Sequence, residues 1–187
     1  MSTTSISQLL QKIREEIRDG RIAPELLLDL LENPARLPDA FPISYDQDLG
    51  LMSLIRSAVG PDNLSNICPA IHIANFKLAG RGICSVKCRV EAHLYGESSE
   101  QAMKRLAGHG HSFGNAGDLA GFQHDHPDEM RRWLGGVRAI GTGSQWKVTA
   151  DCILVPHAYV NSSNRLFDLG GFGYKLSPKC GILLLEM

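Results

Sequence analysis

Two short stretches carry the residue types that do chemistry. His109-Gly-His111 and His124-Asp-His126 place four imidazoles within 18 residues, with Asp118, Asp125, Asp128 and Glu129 nearby. Imidazoles at such close spacing suit zinc, and a three-His site with an open position would activate a bound water for hydrolysis. Between the two pairs, Gly110-His-Ser-Phe-Gly114 fits G-x-S-x-G, the nucleophile elbow. That motif needs a strand before Ser112 and a helix after it, so that a strained turn exposes the hydroxyl. Asp151 and His157 follow in the order acid, then His. These arrangements define the enzymatic alternative: a metal-dependent hydrolase on His109, His111, His124 and His126, or a serine hydrolase on Ser112.

Each has a structural counter-reading. Gln101 to Ala107, before the elbow, contains Ala, Met, Lys and Leu and no β-branched residue, so it reads as helix where the elbow needs strand. Asp125 or His126 immediately precedes Pro127, which opens a helix, and Asp is a preferred cap. Cys68 precedes Pro69 and Cys180 begins the last apolar run. Neither sits at a helix N-terminus or beside an obvious His, the settings that lower a thiol pKa. No catalytic residue is assigned. The polar run Pro156 to Arg165 interleaves Tyr159, Asn161, Asn164 and Arg165, and such loops on a rigid sheet bind ligands.

The element that positions these groups is Ile83 to Tyr95. Cys84, Val86, Cys88, Val90, Ala92 and Leu94 alternate with polar residues, which predicts a strand with one face on a core. Cys84 and Cys88 then lie roughly 13 Å apart at about 3.3 Å per residue. A disulfide needs Cα atoms within about 7 Å, so this pair neither bridges nor shares one zinc. Cys152 alternates with Trp146, Val148, Ala150 and Leu154 in an expected strand, Gln145 to Val155, and also points toward a core.

Before this strand the pattern is helical. Ser5 with Gln8 matches a capping box, and Leu9, Leu10, Ile13 and Ile17 keep helical spacing. Pro24 opens a second helix with Leu26 to Leu31, giving a hairpin that offers a surface for self-association. Arg36 to Pro42 reads as an extended connection, and Ser44 with Gln47 as the cap of a helix carrying Leu51, Leu54, Ile55 and Val59. Ile71 to Leu78 reads as a strand. After the central strand, Ser98 with Gln101 and Asn115 with Asp118 cap short helices, and Pro127 opens another. Strands follow within Leu166 to Tyr174 and at Cys180 to Met187, the last apolar enough to be buried on both faces. The expected fold class is α+β: a helical segment over residues 1–62, then a mainly antiparallel sheet with two or three helices over residues 63–187.

The 187 residues carry a formal net charge of −1 and no long run of one sign, which argues against nucleic acid as a partner. The apolar run Ile182 to Leu185 is far too short to span a bilayer. The opening MSTTSISQLLQKIREE lacks the charged-then-apolar order of a signal peptide, and the five Cys are odd in number. A cytoplasmic chain with reduced thiols is the expectation.

From Val90 onward the chain resembles a C-type-lectin-like domain in the broad sense that includes bacterial formylglycine-generating modules. The resemblance lies in an ordered series: VEAHLY, SSEQAMKRLAG, GHSFGNAGDLAGF, VRAIGTGSQW and a terminal GILLLEM that would pair with the first strand. The segment PELLLDLLENPARLP is similar to that of short uncharacterised bacterial proteins carrying a comparable module. The Cys pairs, the E-P-N, Q-P-D and W-N-D motifs and the catalytic Cys of those families have no counterpart here. The resemblance therefore implies the fold, with neither enzyme activity nor calcium-dependent sugar binding. The resulting expectation is a non-catalytic module that binds a protein or small ligand through the loops between Pro156 and Pro178.

Overall fold

A computed structural model describes residue 15 and residues 40–72, 75–78, 80–92, 96–108, 110–134, 138–160, 164–175 and 180–186. The chain divides into two compact units, Met1–Asp39 and Ala40–Met187, and the second holds the sheet. The N-terminal helical hairpin expected over residues 5–31 lies outside the described residues, as do His93, His109 and Asn161.

The fold is α+β. Strands β1 (Phe41–Asp46), β2 (Ile83–Ala92), β3 (Ser112–Phe113), β4 (Arg138–Ile140), β5 (Trp146–Lys147), β6 (Ile153–Val160), β7 (Arg165–Gly171) and β8 (Cys180–Glu186) form one sheet. Its helices are α1 (Leu51–Val59), α2 (Ser99–Ala107), α3 (Ala116–Asp125) and α4 (Pro127–Leu134). The main path runs β1-β2-β8-β4-β6, with β7 on the other side of β6 and the short β3 and β5 pairing β8 and β6. All pairings are antiparallel except β4 with β8.

β8 is the hub because its sequence has no polar face to show to water. Cys180 through Leu184 are all buried, and the first and last strands of the expected module, β2 and β8, lie side by side. Residues opposite one another in register share a face. One face therefore gathers Ile43, Tyr45, Val86, Cys88, Val90, Leu183, Ala158 and Phe167. Over them lie α1, through Leu51, Leu54, Ile55 and Ala58, and α3, through Leu119, Ala120 and Phe122. The opposite face presents Ile182 and Leu184 to Ala102 and Leu106 of α2, and Ile140 and Val155 to Phe172. Lys87, Arg89 and Glu91 lie on this second face of β2, as the two-residue period requires.

Local capping set several boundaries. Ser98 with Gln101 and Asn115 with Asp118 each form a complete capping box, opening α2 and α3. The same spacing at Ser44 and Gln47 opens no helix, which corrects the helical reading of this part of residues 1–62. Phe41, Ile43 and Tyr45 alternate as a strand does, and pairing with β2 carries the chain extended to Asp46. Asp46 then accepts the Asp48 N–H in a single 3-10 turn, and α1 starts only after Gly50.

Two other strand expectations also change. The described residues between Ile71 and Leu78 form turns, with the Asn75 and Phe76 N–H groups donating to the His72 carbonyl. The run Gln145 to Val155 is a hairpin rather than one strand. The Val148 and Thr149 N–H groups donate to the Cys152 carbonyl, leaving Cys152 half-buried at a turn instead of in the core.

β1 is an edge strand, and the junction of α3 and α4 closes it. Asp125 Oδ2 accepts the Ser44 N–H at 3.2 Å, and His126 Nε2 donates to the Pro42 carbonyl at 2.7 Å. Unpaired edge groups invite another chain, so these two side chains blunt the edge. The His126 ring also packs on Phe41 and Phe122, with centroids 5.1 and 5.7 Å away. His126→Phe keeps that packing and removes the hydrogen bond. It is expected to lower unfolding stability by about 1 kcal/mol, read from the urea midpoint at unchanged m-value.

Candidate functional site

The structure does not bring Ser112 and His157 together. Ser112 lies in β3 opposite Leu185, while His157 lies in β6 opposite Ile140, itself opposite Ile182. Ile182 and Leu185 are an odd number of residues apart on β8, so Ser112 and His157 belong to opposite faces of the sheet. Asp151 sits exposed in the β5–β6 turn. The segment before Ser112 is α2 and a turn, so the strand-turn-helix of a nucleophile elbow does not form.

The three described histidines of the candidate metal set have separate partners. His111 Nε2 is 3.1 Å from Arg89 Nη2, His124 Nδ1 is 2.8 Å from Asp125 Oδ1, and His126 is on the Pro42 carbonyl. Among the described residues no three His, Cys, Asp or Glu side chains are grouped to hold a metal ion.

The run Pro156 to Arg165, expected as a polar loop, is largely strand: Tyr159 lies in β6 and Arg165 begins β7. Arg165 Nη1 donates to the Ala58 carbonyl at 3.0 Å, satisfying the C-terminal turn of α1. The Tyr159 carbonyl accepts from the buried Gln123 amide, and Asn164 is exposed. A cleft of about 310 Å³ lies against α1, lined by Met52, Arg56, Leu64, Ile67, Cys68, Pro69 and Ile71.

Three segments make that cleft. α1 is amphipathic, burying Leu51, Leu54, Ile55, Ala58 and Val59, so Met52 and Arg56 stand one turn apart on its flank. Gly60, at φ 80°, and Pro61 end α1 and start the 3-10 segment Pro61–Asn66. That segment is bolted to the β7 edge. Asn63 Oδ1 accepts the Arg165 N–H, Asn66 Nδ2 donates to the Arg165 carbonyl, and the Cys68 N–H donates to the Phe167 carbonyl. The clamp sets Leu64, Ile67 and Cys68 opposite Met52 and Arg56, over the buried Ile71. The wall is therefore fixed by hydrogen bonds to the β7 backbone, two made by asparagine side chains and one by the Cys68 N–H.

A second concavity of about 350 Å³ lies at the β1 edge, lined by Ser44, Ser85, Lys87 and Asp125 among others. Its polar groups are largely engaged: Ser44 Oγ with Ser85 Oγ at 3.0 Å, and Asp125 with Ser44 and His124.

A cluster of titratable groups lies inside the fold. The Asp118 carboxylate is 1% exposed, and it accepts the Tyr45 hydroxyl at 2.8 Å and the Asn115 N–H at 2.9 Å. Burial raises the Asp118 pKa above the usual carboxylate range, partly offset by those two hydrogen bonds. Burial, then the Asp118 charge, raises Tyr45, and the same two causes in that order push the Cys88 thiol up to about 12. Gly117 and Gly121 let α3 approach this tyrosine, since a Cβ at either would lie 2.9–3.0 Å from its ring. The cluster joins α3 to the sheet and has no opening to solvent, since both side chains are buried.

Sheet, helices and cleft together define an α+β module with a mixed, mostly antiparallel sheet and a preformed apolar cleft on one flank. No family model, curated protein or solved structure matches this chain.

Proposed function

We propose that this protein is a binding module whose ligand sits in the cleft between α1 and the Pro61–Ile71 segment. The observation that carries this is the clamp of Asn63, Asn66 and Cys68 on β7, which holds an apolar concavity that no described side chain fills. Its size falls in the range of small-molecule sites. Arg165, expected from sequence to touch ligand, enters this reading as a positioning residue, through Ala58 and the two asparagines.

The C-type-lectin-like reading belongs with this proposal as an architectural one, supported by the antiparallel pairing of β2 with β8. The hydrolase alternatives draw no support from the geometry, because Ser112 and His157 face opposite ways and His126 serves the β1 edge.

Leu64 is 47% exposed at the cleft rim, so a charge there is tolerated by the fold and spoils the cavity. In a ligand-observed NMR screen of small apolar compounds, Leu64→Asp is expected to lose at least roughly tenfold in affinity for hits that bind the wild type, with an unchanged melting temperature. Hits that bind Leu64→Asp as well as wild type would remove the cleft from the reading.

A further inference from the structure

The cleft is chemically lopsided. Five of its lining side chains are apolar: Met52, Leu64, Ile67, Pro69 and Ile71. Arg56 is the one charged group among the described residues of its lining, and no carboxylate stands beside it there. Among the described residues Arg56 makes neither an ion pair nor a side-chain hydrogen bond, and its side chain is exposed, so the guanidinium fork is available.

We propose that the cleft takes a small monocarboxylate with an apolar tail, an acyl or aryl carboxylate, its head on Arg56 and its tail over Met52, Leu64 and Ile67. This rests on the cleft being the ligand site. A planar fork pairs a carboxylate through two parallel hydrogen bonds, which one arginine supplies in full. A phosphate dianion calls for more donors than this lining offers. Met52 gives the tail a flexible and polarisable surface, and Pro69 and Ile71 give it a stiff floor. Cys68, half-buried in the wall, lies where an occupant covers it.

The test uses the full chain and three probes of equal tail: octanoate, 1-octanol and octylamine, titrated calorimetrically and by saturation-transfer NMR. Octanoate is expected to bind roughly tenfold tighter than octanol, and octylamine more weakly than either. Arg56→Gln is expected to erase the octanoate preference while leaving octanol affinity as it was. Octanoate is also expected to slow alkylation of Cys68 by N-ethylmaleimide, read by peptide mapping, with the rate at Cys152 unaffected. Equal affinity for octanoate and octanol, or an octanoate preference that survives Arg56→Gln, overturns the carboxylate assignment and leaves the cleft a ligand site. Failure of all three probes to bind, with no protection of Cys68, overturns the cleft as a ligand site and this inference with it.

Discussion

Gly170→Ala is expected to destabilise the fold by about 3 kcal/mol, read as a drop in the urea midpoint. The reason is a side chain from the neighbouring strand. His157 stands opposite Asp168 across β6 and β7, and Gly170 is the diagonal position on the same face. The His157 ring is 1% exposed and lies across the glycine. A Cβ there would fall 2.1 Å from Cε1, 2.5 Å from Nε2 and 2.8 Å from Nδ1. A buried ring has no solvent to swing into, so either β7 shifts or the imidazole leaves its place. Gly173 is the internal control. A Cβ at that position meets nothing within 4 Å, so Gly173→Ala should stay within about 0.5 kcal/mol of wild type. A double-mutant cycle identifies the cause. In a His157→Ala background the second substitution, Gly170→Ala, should lose most of its cost, because the ring it collides with is gone. Additive effects would mean that backbone strain in β7, and not the imidazole, sets the penalty.

The features legible in sequence were those that a short window determines. β2 was readable because Cys84, Val86, Cys88 and Val90 all turn to one core face, and β8 because Cys180 to Leu184 have no polar face at all. The boxes at Ser98 and Asn115 were readable because a cap acts over three residues. The identical spacing at Ser44 misled because the competing signal, Phe41-x-Ile43-x-Tyr45, is short and is decided by register with a strand more than 35 residues away (Tyr45 opposite Cys84). The hairpin inside Gln145 to Val155 was hidden for a related reason. Its turn at Thr149 to Cys152 carries no Gly, Asn or Pro, so alternation appeared to run on.

The cleft was the least legible feature. Its walls meet because Asn63 and Asn66 reach Arg165, 102 and 99 residues later, and no periodicity records a side chain bonding a remote backbone. The signal that existed was weak: Asn63 and Asn66 share a turn after Pro61, a polar pair facing one way beside apolar Leu64 and Ile67. Arg165, expected from sequence to touch ligand, donates to the Ala58 carbonyl and exchanges backbone hydrogen bonds with the Asn63 and Asn66 side chains. His124 and His126, whose spacing suits a metal, each face a local acceptor, the Asp125 carboxylate and the Pro42 carbonyl.

Asp118→Ala is expected to cost about 3 kcal/mol, because it strands two donors in the interior, the Tyr45 hydroxyl and the Asn115 N–H. More diagnostic is how Asp118→Asn behaves with pH. Burial holds the native Asp118 pKa above its unfolded value of about 3.9, so the native state binds this proton more tightly than the unfolded chain does. The stability contributed by that proton is fully present below the unfolded pKa and is lost as pH rises through the native one. Wild type therefore gives up stability from this group between acid and neutral pH, while Asp118→Asn, with nothing to titrate, does not. The cost of Asp118→Asn should be largest near pH 3 to 4 and shrink toward pH 7. Tyr45→Phe removes one of the two hydrogen bonds that favour the carboxylate, so it should raise the Asp118 pKa further and extend the loss to higher pH. Tyr45 adds a second window at the alkaline end. Its native pKa is also raised, so wild type loses stability above about pH 10, where the unfolded phenol ionises, and Tyr45→Phe should not. Urea unfolding at pH 3.5, 5, 7 and 10.5 for the three proteins separates these windows. A cost for Asp118→Asn that grows toward neutral pH would reverse the sign and mean that the hydrogen bonds from Tyr45 and Asn115 outweigh desolvation, making the buried carboxylate a net anchor of α3 to the sheet.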